Sequence, residues 1–424
     1  MRALIWLMTL SLGILVPGAA LAEGAEQKFR QLLDPLVENG KLPAYFLGVV
    51  KDGEVVVKRG LGTAGSYNHP TPTSKTRFAL LSLSKPMTVL ALLRLVDQGK
   101  LRLDDPLSKY LPQFAALKLH TGEALNRPIL IADLFTHTAG FGHSSDFGSS
   151  VTKTKAYQAQ NLFTLSGLID DGAPRATLSE QLEEVAKLPL INQPGVEFHY
   201  SISTDILGHV AELVTQQPLA TFLRNELFVP LGMNDTGLRV SAEEAQDMAR
   251  LVKPLIRTYP TPGRYRRYEP HSELPRGANN IGRGRGLSSA GSGIVSTGAD
   301  CLKFLQFLLS GMRLTDGSQF ISDELKDRYF NHQLNENLGT TPLAGKLPYA
   351  RRDGLSFGWA LRLRPSEDLL TQHAGSPAFH YWSGFSSSVM WLNLEAKTAG
   401  VFLSQITPSE IFLASRLEEI ASQP

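Results

Sequence analysis

In the stretch FALLSLSKPMTVLALLRLV (78–96), Ser82 and Lys85 stand three residues apart at the mouth of a strongly apolar run. On a helix, a hydroxyl and an amine at that spacing share one face. A serine hydroxyl is a poor nucleophile until a neighbouring base takes its proton. A lysine can be that base near neutrality only if its pKa falls from about 10.4, and desolvation at the head of a buried helix lowers it. The partial positive charge of a helix start disfavours a second cation and favours a developing anion. Pro86 fits the first turn, where its missing N–H costs nothing. Ser-x-x-Lys is nevertheless common by chance, and taken alone it reads better as a capped helix start followed by an ordinary charge.

Two further stretches bear on that choice. In PGVEFHYSISTDILGHVAE (194–212), Tyr200 and Ser201 precede a helix patterned on Ile206, Leu207, Val210, Leu213 and Val214. By itself such a tyrosine is a core residue; facing the serine, its phenolate would share proton transfer with Lys85. In TQHAGSPAFHYWSGFSSSVMWL (371–392), His373-Ala374-Gly375-Ser376 precedes a strand-like run. Gly375 lets the backbone approach a substrate closely. An N–H beside it would join the Ser82 N–H as an oxyanion hole.

The elements that must position these residues fall into two textures. A helical face (Phe29, Leu32, Leu33, Leu36, Val37) ends at Gly40, with Pro35 as a kink. AYFLGVVKDGEVVVKRGLG (44–62) reads as a hairpin turning at Asp52-Gly53. The apolar helix containing Lys85 runs to about Gln98 and stops at Gly99. From Leu111 to Arg285, short helical patterns alternate with Pro- and Gly-rich loops and few strand signals. After Gly291 come a helix near 299–310, strand-like runs FGWALRLR, SSSVMWLNL and TAGVFLSQ, and a last helix from Pro408 to about Ala421. The expected architecture is α/β in the α+β sense. Residues 23–110 and 290–424 would share one antiparallel sheet flanked by helices, and 111–289 would form a mostly helical insertion lobe.

Several functional classes drop out. With 424 residues, 42% hydrophobic and 19% charged, the chain is globular and too long for one compact core. A formal net charge of +2 gives no reason to expect nucleic acid. The glycines of RGANNIGRGRGLSSAGSG (276–293) follow no strand, so they are a loop rather than a dinucleotide fingerprint. The sequence holds no His-Glu-x-x-His, no cysteine cluster and no Gly-x-Ser-x-Gly elbow, so neither a metal nor a cofactor is expected. The single cysteine, Cys301, lies in an apolar helical pattern and reads as a small buried hydrophobe. Residues 1–22, with Arg2, an apolar run from Ala3 to Val16 and Ala20-Leu21-Ala22, have the layout of a secretory signal cleaved after Ala22. Export to the periplasm or medium is therefore expected. No later run is long enough to span a membrane. Nothing in the sequence sets the oligomeric state.

At the three stretches the chain resembles the serine β-lactamase-like family: class C β-lactamases, DD-peptidases, D-aminopeptidases and the related family VIII-type carboxylesterases. Further segments resemble the family in its order: GKLRLDDPLSKYLPQF, ILIADLFTHTAGF, LFVPLGMNDTGL, SSAGSGIVSTGADCLKFLQFLLSG and FGWALRL, covering roughly 27–420. The resemblance implies the β-lactamase/DD-peptidase-like fold, with Ser82 as the acylated nucleophile and Lys85 and Tyr200 as its proton-transfer partners. His373-Ala374-Gly375 would occupy the place of the Lys-Thr-Gly strand motif, and Ser376 would give the second oxyanion N–H. Ile202 stands where many relatives have the substrate-contacting Asn of Tyr-Ser-Asn. YSISTDILG instead is similar to the Tyr-Ser-x-x-x-Asp-x-Leu-Gly form of the esterases. AKTAG (396–400) falls in a later strand and is a decoy. His137, in FTHTAG, is by the same resemblance a loop-ordering residue, not a triad histidine.

The implied activity is an exported serine hydrolase acting on esters of small or medium acyl groups. The alternatives are a D-amino-acid peptidase or DD-carboxypeptidase, a weak β-lactamase, and a covalent penicillin-binding sensor that does not turn over.

Overall fold

The fold was taken from a computed structural model, which describes residues 17–63, 70–142, 177–238, 289–331, 379–406 and 413–423, with short segments between. A helix α1 (Pro17–Glu38, with Pro35 inside it) leads into strands β1 (Ala44–Lys51) and β2 (Glu54–Gly62). The hairpin turns through Asp52 and Gly53, both at positive φ (50° and 84°), as a type I′ turn requires. Then follow β3 (Arg77–Ala79), a single 3₁₀ turn over Leu81–Leu83 and helix α2 (Ser84–Asp97). Gly99, at φ 68°, follows its end. The middle of the chain supplies α3 (Ile131–Phe135), α4 (Leu178–Val185) and α5 (Ser203–Thr215). The C-terminal part supplies β4 (Val295–Thr297), α6 (Gly298–Leu309), strands β5 (Gly354–Leu355), β6 (Ala360–Leu361), β7 (Phe379–Ser383), β8 (Val389–Asn393) and β9 (Thr398–Leu403), and α7 (Ala414–Ser422).

Seven strands form one antiparallel sheet in the order β5-β6-β7-β8-β9-β1-β2. The central strands are buried on both faces, and alternation sorts their side chains. Tyr45, Leu47 and Val49 join Trp391, Phe402, Phe29 and Leu417 in a core under α1 and α7. Phe46 and Val50 face the other way, into the larger core around α2 and α6. Gly48 is needed there, because a Cβ on it would lie 2.8 Å from Leu302 of α6.

Helix α2 crosses the middle of the larger core. All residues from Ser84 to Leu93 are buried, as an almost uniformly apolar helix must be in a soluble fold. A separate pair, β3 with β4, braces its entry: Phe78 pairs with Ser296, and Leu80 N donates to Ile294 O at 2.9 Å. These two short strands carry too few residues to show a period. The strand of most consequence, β7 (FHYWS), lies in the strand-like run expected after Ser376. The last helix begins at Ala414; Pro408–Phe412 of its expected span lie outside the described residues.

Candidate active site

Ser82 stands in the 3₁₀ turn, one residue after Leu81, which is held at φ 51°. A leucine in the left-handed region is strained, and such strain persists only where the surroundings over-determine it. Leu83 N donates to Leu80 O, Leu80 N to Ile294 O, and Gln405 Nε2 to Ala79 O at 3.1 Å, fixing the turn from both sides. Ser82 alone of residues 78–93 keeps partial exposure in this turn and first helical stretch. Its side chain is therefore the reachable one.

The two serines of the segment part company. Ser84 is fully buried, and its Oγ accepts the Ile294 N–H at 3.1 Å. Ser82 Oγ lies 2.8 Å from Tyr200 OH and 3.4 Å from Lys85 Nζ. Ser82 and Lys85 thus meet across the junction of the 3₁₀ turn and α2. The amine also sits over the Tyr200 ring, 4.7 Å from its centroid.

Lys85 has a second partner, Gly291 O, at 2.9 Å. That carbonyl belongs to the loop 289–294, which is tied to α2 again where Thr88 Oγ1 donates to Ala290 O at 2.7 Å. Asp205, in the first turn of α5, holds the loop from behind. Its Oδ1 accepts from Ser289 Oγ at 2.5 Å and from Gly291 N at 3.2 Å. One residue, Gly291, therefore bridges the carboxylate through its N–H and the ammonium through its carbonyl. A Cβ there would lie 3.1 Å from Asp205 Oδ2 and 3.2 Å from Lys85 Nζ, so any side chain would push this pair by a few tenths of an ångström.

Burial governs the electrostatics. It lowers Lys85 to about 8 from 10.5, against the opposing pull of the Asp205 charge. Burial likewise raises Asp205, against the Ser289 hydrogen bond, the Lys85 charge and the loop N–H groups. It also pushes the Tyr200 hydroxyl well above the ordinary tyrosine range, and the Ser82 hydrogen bond offsets only part of this. Burial thus favours the neutral phenol at Tyr200 over the phenolate expected from the sequence. The amine is the group whose neutral form is accessible near pH 8.

The other expected site residues fare differently. Ile202 is 1% exposed and packs in the larger core at the start of α5, with its N–H on Gly142 O and its carbonyl accepting the Asp205 N–H. It presents no surface to a substrate, contrary to the expectation that it lines the site. His373, Gly375 and Ser376 lie outside the described residues. Strand β7, immediately after them, does reach the nucleophile. A Cβ on Gly384 would come 2.8 Å from Leu80 O, and the Trp382 ring lies 6.2 Å from that of Tyr200. Gly291, Trp382 and Gly384 were given no role by the motifs. Asp205 entered only as the acid of the Tyr-Ser-x-x-x-Asp-x-Leu-Gly form, the one legible signal among them. AKTAG falls where expected, at the start of a later strand: Lys397, at φ 50°, ends the turn before β9, and Thr398, Ala399 and Gly400 are its first three residues. Among the described residues no group of side chains could hold a metal ion.

A family model described as Beta-lactamase matches residues 29–423. Esterase EstB of Burkholderia gladioli is 31% identical over 338 residues, 77% of this chain and 78% of that protein. Protein Rv1367c of Mycobacterium tuberculosis is 32% identical over 264 residues, which is 59% of this chain; the match spans only 57% of that relative's length. Among solved structures, EstCE1, described as a hydrolase with promiscuous acyltransferase activity, superposes with a TM-score of 0.69 at 21% identity, covering 95% of this chain and 98% of that one. At that identity the likeness speaks for the fold. Since the family match runs through both the sheet and the segments around Ser82, the chain belongs to the beta-lactamase family.

Proposed function

We propose that the protein hydrolyses carboxylic esters of small or medium acyl groups through an acyl-enzyme on Ser82. The observation that carries this reading is the partly exposed Ser82, whose Oγ lies 2.8 Å from the Tyr200 hydroxyl and 3.4 Å from an amine of lowered pKa. Ser82 Oγ bonds to the ester carbonyl carbon while its proton passes to Lys85, directly or through Tyr200 OH. The oxyanion is held by the Ser82 N–H, left without an intrahelical acceptor at a helix start, and by a second N–H from the β7 side. The tetrahedral adduct then expels the alcohol, which takes the proton back. Water repeats the sequence and releases the acid.

Ester preference rests on the rim and on similarity to Esterase EstB. Among the described residues of the site, the one cation is Lys85, buried and engaged by Gly291 O. Phe385 follows Gly384 in sequence and is 39% exposed, and we assign it to an apolar edge of the mouth. The N-terminal pattern of residues 1–22 supports export, and among the described residues no helix is long and apolar enough to cross a membrane.

A turnover panel tests the reading: short-chain nitrophenyl esters, a chromogenic cephalosporin and D-Ala-D-Ala peptides. Esters should lead in kcat/KM by about 100-fold or more. Peptides or the cephalosporin outrunning esters would overturn the ester preference, and a stable covalent label without product would replace the hydrolase by a sensor. Phe385→Ala should raise KM for hexanoyl and octanoyl esters about tenfold, the scale of one lost apolar contact, and leave acetyl esters within about threefold. Equal losses at every chain length would remove Phe385 from acyl recognition.

A further inference from the structure

The loop after α3 holds a histidine that the reaction as drawn does not use. His137 is 4% exposed and sits at φ 54°, in the left-handed region that histidine enters more readily than most residues. Its loop is anchored below: Thr138 N donates to Asp133 O at 2.8 Å, and Asp133 takes both guanidinium nitrogens of Arg127 at 2.7 and 2.8 Å.

From this anchored position His137 holds the chain on both sides of Tyr200. Its carbonyl accepts the His199 N–H at 2.8 Å, and its Nδ1 accepts the Ser201 N–H at 3.3 Å. Accepting that N–H needs the lone pair on Nδ1, and the Ser201 hydroxyl, 3.2 Å away, can donate to the same atom. The ring itself lies against Tyr200, with centroids 4.9 Å apart and planes tilted by 36°. Lys85 Nζ and Trp382 occupy other positions around the same phenol ring.

We infer that His137 is the positioning residue for Tyr200: by bracketing its two flanking peptides and packing on its ring, it sets the direction in which the Tyr200 hydroxyl meets Ser82. The inference rests on the proposed proton relay through Tyr200 for its effect on rate, but its geometry does not depend on that relay. Misplacing a catalytic group by about 1 Å costs on the order of 100-fold.

Two substitutions separate the bracket from mere packing. His137→Phe keeps a ring but leaves the Ser201 N–H without its acceptor. His137→Asn keeps an acceptor at the δ position and tolerates positive φ. His137→Phe should lower kcat about 30- to 100-fold with KM within about threefold, whereas His137→Asn should stay within about fivefold of wild type. In a Tyr200→Phe background, His137→Phe should cost less than about threefold more. The fluorine NMR signal of 3-fluorotyrosine at position 200 should shift or broaden in His137→Phe and return toward wild type in His137→Asn. His137→Ala serves if the phenylalanine variant misfolds.

The inference is overturned if the fluorine signal is unmoved by loss of the acceptor, if Asn performs no better than Phe, or if the His137 loss persists in full in the Tyr200→Phe background. If Tyr200→Phe itself keeps wild-type kcat, the relay fails instead, and the fluorine signal alone decides the bracket.

Discussion

Ser82→Ala is expected to lower kcat/KM toward esters by about 10⁴-fold or more while leaving the protein folded. The size follows from how the site is built. Without the Oγ there is no atom to form the acyl-enzyme, and Lys85 and Tyr200 have no nucleophile to serve; groups that act as one unit lose nearly all their effect together. What survives is substrate binding and the oxyanion contacts, which stabilise a direct attack by water only weakly. The fold is little affected, because Ser82 is partly exposed and its loss frees the Tyr200 hydroxyl at a site water can reach. Its stability should change by no more than about 1 kcal/mol. Two measurements check this: steady-state ester hydrolysis, and mass spectrometry after a fluorophosphonate, which should add one label to the wild type and none to the variant. Hydrolysis within tenfold of wild type, or a label retained elsewhere, would remove Ser82 from its role.

Much of this arrangement was readable before any coordinates, and the reason is spacing. The Ser82–Lys85 pair is local, so a helical offset brings the two together whatever the rest of the chain does. Asp52-Gly53 named its own turn, and the continuous apolar runs of β1, β8 and β9 named their strands. The unreadable parts are those that depend on distant chain. Gly291 lies 206 residues from Lys85 in sequence, and nothing in SSAGSG says that one of its carbonyls meets an amine. Ile202 follows Tyr200 by two residues, close enough to suggest a shared pocket, yet the turn into α5 sends it into the core. The strand-like run after Ser376 gave no bounds for β7, because FHYWS, mostly buried, has no polar alternation; its neighbours β6 and β8 fix it as a strand. Tyr200 was placed correctly beside the serine, but its protonation could not be read from its type, since it is set by the burial of the hydroxyl.

Lys85→Met is expected to do two opposite things: lower kcat about 10²- to 10⁴-fold, the range for losing a general base, and stabilise the fold near neutral pH. The stability sign follows from the lowered pKa. In the folded chain Lys85 releases its proton near 8; unfolded, it keeps it to about 10.5. Between those values the unfolded state binds more protons, so stability from this group rises with pH through that window. Below about pH 8 the full penalty of holding a buried cation applies, on the order of 3 kcal/mol for a shift of this size. Methionine fills a similar volume without the charge. It gives up the contact to Gly291 O and the attraction to Asp205, so the net gain at pH 7 should be about 1–2 kcal/mol. Denaturant unfolding from pH 6 to 10.5 reads this directly: the wild-type minus variant difference should shrink from pH 8 upward as the wild type catches up. The same titration appears in catalysis, because the neutral amine is the base: wild-type kcat/KM should rise with pH to a midpoint near 8, governed by Lys85. A variant that is less stable than wild type at pH 7, with a difference independent of pH, would mean that Lys85 is a structural cation paired to Asp205. A variant that keeps the wild-type rate and the rise through pH 8 would mean that another group takes the Ser82 proton.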